Sequence, residues 1–190
     1  LKAPPQTGWS WVNQGNATAT FSGSALMLED PDLDATTPQL RLYVRSLAAG
    51  ATGVVAAFTY NGAASIPGPK AGFCARCLGG TDDGNLTTWG IRETGANPYS
   101  YLDYVHYPSP TAVEATPSLD GRNFWPSLRV MWGKFSWEGN YKRIYYGVDG
   151  VNWIKWLEDT LTSYNTPSQF GIFIDPINNA QKISLSLLHW

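Results

Sequence analysis

Tyr141-Lys142-Arg143-Ile144-Tyr145-Tyr146-Gly147-Val148-Asp149-Gly150-Val151-Asn152-Trp153-Ile154-Lys155-Trp156-Leu157 is the stretch on which the reading of the fold turns. Two runs rich in aromatic and β-branched residues flank an Asp-Gly pair. In the first run Ile144, Tyr146 and Val148 share one face and Arg143 and Tyr145 the other, the period-2 pattern of a half-buried strand. Asp149-Gly150 predicts a two-residue type I′ turn between strands Tyr141–Val148 and Val151–Leu157, because that twist matches the flanking strands. A helix over Ile154–Ser163 is the competing reading, and its continuity with the hairpin argues against it.

The same pattern extends in both directions. Strands are predicted over Trp9–Gln14, Ala17–Phe21, Ser24–Glu29, Gln39–Leu47, Gly53–Tyr60, Ala71–Leu78, Leu86–Glu93, Tyr99–Tyr107, Trp125–Lys134, Gln169–Ile174 and Lys182–Trp190. Gly, Pro, Asn and Asp clusters separate them. Asn61–Lys70 and Pro108–Asn123 read as loops. In Gln39–Leu47, Leu40, Leu42 and Val44 alternate with Arg41, Tyr43 and Arg45; in Trp125–Lys134, Leu128, Val130 and Trp132 are expected inward and Ser127, Arg129 and Met131 outward. Roughly eleven to twelve strands without a convincing helix give an all-β, two-sheet antiparallel sandwich of the jelly-roll kind. No internal repeat suggests a propeller. A Pro-containing arm, residues 1–7, precedes a single domain, residues 8–190.

Composition narrows the function classes. The 190 residues are 43% hydrophobic and only 15% charged, with a formal net charge of -2. The pI is near 5.6 and the mean hydropathy -0.22. A nucleic-acid partner calls for a basic surplus, and there is none. No apolar run approaches the roughly 20 residues of a membrane-spanning helix, so no membrane insertion is expected. Aromatic residues reach 14%, enough to fill a sandwich core and to leave rings for a sugar-binding surface.

The chemistry-bearing motifs are few. Cys74 and Cys77 lie on one predicted strand, where residues three apart face opposite ways with Cα atoms about 10 Å apart. A disulfide tolerates roughly 7 Å, so two unbridged, mostly buried thiols are expected. Asp30, Asp32 and Asp34 have the spacing of an EF-hand loop start, but Ala35 and Arg41 stand where Gly and Glu belong, which leaves a weak calcium candidate. A glycosidase needs two carboxyl groups about 5–10 Å apart. Glu29-Asp30 and Glu158-Asp159 are adjacent pairs that diverge on a strand, and the Glu-x-Asp-x-x-Glu pattern of jelly-roll glucanases does not occur. Val148-Asp149-Gly150-Val151-Asn152-Trp153 departs from the sialidase Asp-box in spacing and in its Asn, so a tight hairpin with Trp153 in the core is expected. No cofactor is implied, and the residues point away from an enzyme, with a glycoside hydrolase left as the less favoured alternative.

Trp9-Ser10-Trp11-Val12-Asn13-Gln14-Gly15-Asn16 resembles the start of concanavalin A-like lectin/glucanase domains of tailed-bacteriophage virion proteins. Leu40-Arg41-Leu42, Tyr146 to Trp153, Gln169-Phe170-Gly171-Ile172-Phe173 and Leu187-Leu188-His189-Trp190 follow in the same order. The resemblance implies a laminin-G-like jelly roll with its first and last strands adjacent. It also implies a place on the virion surface, with other virion proteins as partners, a homo-oligomer, and a host-surface glycan as possible ligand.

Two functions of different class follow. In the first the chain binds carbohydrate during host adsorption. Tyr101, Asp103, Arg129, Arg143 and Tyr145, on the expected non-core faces of the middle strands, are then the candidate contacts, since sugars offer C–H faces to rings and hydroxyls to polar side chains. In the second the chain is a head decoration or tail assembly protein without a small ligand, its low charge and aromatic excess serving contacts between subunits.

Overall fold

A computed structural model describes residues 2–31, 39–61, 67–94, 100–112, 123–124, 130–138, 141–160, 167–176 and 183–190. Fourteen strands occur: β1 Trp9–Val12, β2 Thr18–Ser22, β3 Ala25–Asp30, β4 Arg41–Ser46, β5 Gly53–Asn61, β6 Pro67–Arg76, β7 Leu86–Thr94, β8 Ser100–Tyr107, β9 Asn123–Phe124, β10 Met131–Glu138, β11 Tyr141–Gly147, β12 Ile154–Thr160, β13 Gln169–Asp175 and β14 Ile183–His189. One short 3₁₀ turn, Gly80–Asp82, interrupts them. The strands form two seven-stranded sheets. The first sheet has the order β1-β4-β13-β6-β7-β8-β9 and the second β12-β11-β10-β5-β14-β3-β2. Every described pairing is antiparallel. The all-β, two-sheet antiparallel sandwich expected from sequence is the fold.

Between the sheets lies an aromatic core. Phe73, Trp89 and Phe170 of the first sheet meet Phe58 and Phe135 of the second, with Trp89 4.6 Å from Phe135 and Phe58 4.9 Å from Phe73, centroid to centroid. A separate buried cluster covers the other face of the first sheet: Leu40, Leu42, Val44, Cys74, Leu86, Val105, Tyr107 and Phe173. Burial on both faces explains why β13 reads Phe-Gly-Ile-Phe-Ile without alternation. Three glycines let the central strands of this sheet approach. A Cβ at Gly90 would run into the Ala71 carbonyl oxygen, one at Gly72 into that of Trp89, and one at Gly171 into that of Tyr43.

Several expectations shift. The hairpin has no two-residue I′ turn: Tyr146 pairs with Ile154, with a bulge after Ile144, and residues 148–153 form the connection. Gly150 takes φ 74°, whereas Asp149 does not take a positive φ. Asp149 instead uses its carboxylate, accepting from the Val151 and Asn152 amides at 2.9 Å each and from Asn152 Nδ2 at 2.7 Å. Such Asx geometry closes a longer loop without left-handed backbone at Asp. Trp153 is half-buried, and Val148 is loop rather than strand.

The phase of the strand before it is also reversed. Met131, Phe135 and Trp137 are buried, while Trp132 lies half-buried on the outer face, 5.0 Å from the His189 ring. Strand β10 begins at Met131, and Ser127, Leu128 and Arg129 lie outside the described residues. Strand β6 begins at Pro67, inside the expected loop. The first and last strands are in different sheets and meet through their rings, Trp9 edge-on to Trp190 at 4.8 Å. Cys74 and Cys77 are buried and not bonded to each other.

Candidate functional site

Among the carbohydrate contacts expected from sequence, the described side chains of Asp103, on one side, and Arg143 and Tyr145, on the other, do not share a surface. Tyr101 and Asp103 lie on β8 in the first sheet; Arg143 and Tyr145 lie on β11 in the second. Arg129 and the side chain of Tyr101 are outside the described residues. Asp103 is 6% exposed and its Oδ2 sits 3.1 Å from Lys70 Nζ, which also donates to the Tyr107 hydroxyl at 3.1 Å. Its expected place on a non-core face is therefore corrected: β8 carries apolar residues on both faces, so the face beside Val105 and Tyr107 is interior.

On β11 the outer face presents Tyr141, Arg143 and Tyr145. Arg143 Nε donates to Glu158 Oε2 at 2.7 Å, and its guanidinium lies 5.2 Å from the Tyr141 ring centre. Lys134 Nζ is 5.2 Å from the centre of Tyr145. Hydrogen bonds from Arg143 and Lys155 hold the Glu158 carboxyl below its usual range. This platform is open and its charges largely cancel one another.

A concave surface exists elsewhere, over the turn that carries the chain from β4 in the first sheet to β5 in the second. It is a groove of about 450 Å³ lined by Arg45 and Ser46 of β4, Ala48 of the turn, the first residues of β5, Lys2 and Pro5 of the arm, and Trp190. The arm reaches it through hydrogen bonds: the Lys2 amide donates to His189 Nδ1 at 2.7 Å, the Trp190 amide to the Lys2 carbonyl at 3.2 Å, and Trp9 Nε1 to the Pro5 carbonyl at 2.7 Å. Arg45 is half-buried, its guanidinium 5.9 Å from the Trp9 ring centre. Gly53, at the groove's β5 side, is small because a Cβ there would come within 2.8 Å of the Phe135 carbonyl oxygen. Among the described lining residues there is no acidic side chain.

A third cluster joins the sheets. His106 Nδ1 lies 2.9 Å from Thr87 Oγ1 and its Nε2 3.3 Å from Asp159 Oδ2, which also accepts from the Tyr104 hydroxyl at 3.0 Å. Burial, with the nearby Lys142 charge, pushes the imidazole down to about 4 against the opposing pull of Asp159. The hydroxyl–imidazole–carboxylate order invites comparison with a nucleophilic triad. Thr87 is 3% exposed and faces the interior, so the cluster functions as a polar clasp between sheets.

Asp30 is fully buried and bonded to Arg41 at 2.9 Å. It is therefore committed to a cation of the chain rather than to calcium, while Asp32 and Asp34 lie outside the described residues. No grouping of three or more His, Cys, Asp or Glu suited to a metal occurs among the described residues.

Sequence reasoning missed the groove. Arg45 alternates onto one face with Tyr43, but nothing local shows that the β4–β5 turn, the arm and Trp190 converge there.

No protein-family profile and no curated protein sequence matches the chain. Solved structures do. A functionally unknown protein from Saccharomyces cerevisiae superposes with a TM-score of 0.63 at 12% identity, covering 95% of this chain and 92% of that one. A Lotus tetragonolobus seed lectin gives 0.59 at 7%, covering 100% and 94%. The carbohydrate esterase of Shiga toxin-encoding bacteriophage phi24B gives 0.50 at 18%, covering 95% and 88%. The likeness is one of fold. Glycoside hydrolases, an esterase and lectins share this sandwich, so its function rests on its own surfaces.

Proposed function

We propose that the protein is a non-enzymatic carbohydrate-binding module and that the β4–β5 groove is its site. The observation that carries this reading is the meeting of Trp190 with Lys2, Arg45 and Ser46 in the lining of one concave surface. An aromatic wall takes the C–H face of a pyranose, and polar groups at the rim take its hydroxyls. The lectin-like fold and the sequence resemblance support a role in adsorption to host surface glycans, on a virion surface with other virion proteins as partners. Lack of an acidic side chain among the described lining residues favours binding over glycoside hydrolysis, which needs a pair.

A glycan array read against two variants tests it. Ala48→Trp fills the groove from an exposed turn position without touching the core; Tyr145→Ala strips the β11 platform. Binding lost in the first and kept in the second supports the groove. The reverse pattern moves the site to the platform, and no glycan bound by the native chain overturns the function.

A second reading draws on the hairpin tip. Val148, Val151 and Ile154 are 58, 76 and 54% exposed beside the edge strand β12. Apolar side chains held outward on a loop suit a contact with another subunit, as in a decoration or assembly protein.

A further inference from the structure

We infer that the β4–β5 groove selects an acidic saccharide, a sugar bearing a carboxylate, and that Arg45 is the residue that reads the acid. This rests on the groove being the carbohydrate site and adds the class of its ligand.

The described cations of the chain differ in how they are paired. Arg41 is bonded to Asp30, Lys70 contacts Asp103, and Arg143 and Lys155 share Glu158. These four are matched to carboxylates of the chain, whereas Arg76 is bonded to the Gln169 amide oxygen and Lys134 lies over the Tyr145 ring. Arg45 is matched to none among the described residues. Its guanidinium is kept near the Trp9 ring, and the Gly8 backbone packs beside it: a Cβ at Gly8 would lie 3.6 Å from Arg45 Nη2. Ring and backbone restrict the side chain before any ligand arrives, which lowers the entropy lost on binding.

A guanidinium held this way has one best partner. Its planar fork offers two parallel N–H groups to the two oxygens of a carboxylate, and partial burial strengthens the pairing. Lys2 is a second basic residue of the same lining, and no described lining residue has an acidic side chain. A neutral sugar would leave both cations without a counter-charge. A sugar acid places its carboxylate on Arg45 while its ring lies against Trp190.

The test compares matched pairs: sialyllactose with lactose, and a galacturonate oligomer with its methyl ester. Binding to the full chain is followed by calorimetry and by the Trp190 indole N–H resonance. The expected result is that at least one acid binds about tenfold or more tightly than its neutral partner. That preference should shrink as salt rises from about 50 to about 500 mM. Arg45→Met should abolish the preference, and Arg45→Lys should restore part of it, which separates charge reading from loss of packing on Trp9. Near-UV circular dichroism confirms that the variants fold. Equal binding of acid and neutral partners overturns the inference while leaving the carbohydrate reading standing. An acid preference that survives Arg45→Met overturns the assignment to Arg45. Failure of every saccharide, acidic or neutral, removes the carbohydrate reading itself.

Discussion

Arg41 Nε donates to Asp30 Oδ2 at 2.9 Å across the sandwich, joining β4 of the first sheet to β3 of the second with both side chains almost wholly buried. Gly15 lies directly against that guanidinium, where any side chain would collide with it. Removing the cation strands a desolvated carboxylate. Arg41→Met should therefore cost about 3–5 kcal/mol, measured by urea denaturation. The double variant Arg41→Met/Asp30→Leu should recover much of the loss, because burying two apolar groups avoids the desolvation that the ion pair only offsets. A double variant no more stable than the single one would mean that the residues act separately.

His106 makes stability depend on pH. Its folded value, about 4, lies below the 6.5 of the exposed side chain. Between those values the unfolded chain binds the proton and the folded chain does not, so acidification favours unfolding. This contribution is intact above about pH 6.5 and is lost progressively toward pH 4, to the extent of about 2 kcal/mol. Denaturation midpoints at pH 7.5 and 4.5 should differ more for the native chain than for His106→Gln. Equal differences would show that other groups dominate.

Gly90 tests the close approach of β6 and β7. A Cβ would meet the Ala71 carbonyl oxygen and the Gly72 Cα, both backbone atoms that cannot turn aside. Gly90→Ala should destabilise by about 2–4 kcal/mol, whereas Gly23→Ala, with nothing near its Cβ, should cost only the strain of its φ of 58°. Thermal melts of the two variants check the contrast.

Asp149 organises the β11–β12 connection through three accepted hydrogen bonds, which also hold its carboxyl below the usual range. Asp149→Ala should speed amide exchange at Val151 and Asn152 while leaving the paired residues of β11 protected. Unchanged exchange at both amides would show that Gly150 and the strands alone set the loop.

Much of the fold is legible locally. Alternation in β4 and β11 and the Gly/Asp clusters between strands place most elements within a few residues, because period 2 and turn chemistry are properties of short segments. Phase failed in β10, where a run of mixed aromatic and polar residues gives two registers and only the facing sheet chooses between them. The candidate site was hidden for a related reason. Tyr101, Asp103, Arg143 and Tyr145 all read as polar or aromatic residues on a free face. Which sheet a strand joins is set by pairings between residues far apart in sequence, such as β4 with β13 and β5 with β14.

The sequence by itself determined that the chain is an all-β sandwich, that Cys74 and Cys77 do not bridge each other, and that its formal net charge is -2. The physical reason is that hydrophobic period, strand geometry and net charge are read residue by residue. The tertiary structure decided which of the first sheet's faces are interior, that Asp103 and Asp30 are spent on Lys70 and Arg41, and that Lys2, Arg45 and Trp190 surround one groove. Those facts follow from long-range packing: burying a second apolar cluster withdraws one face of the first sheet from solvent, and the crossing from β4 to β5 brings the arm and the last residue to the same end of the sandwich.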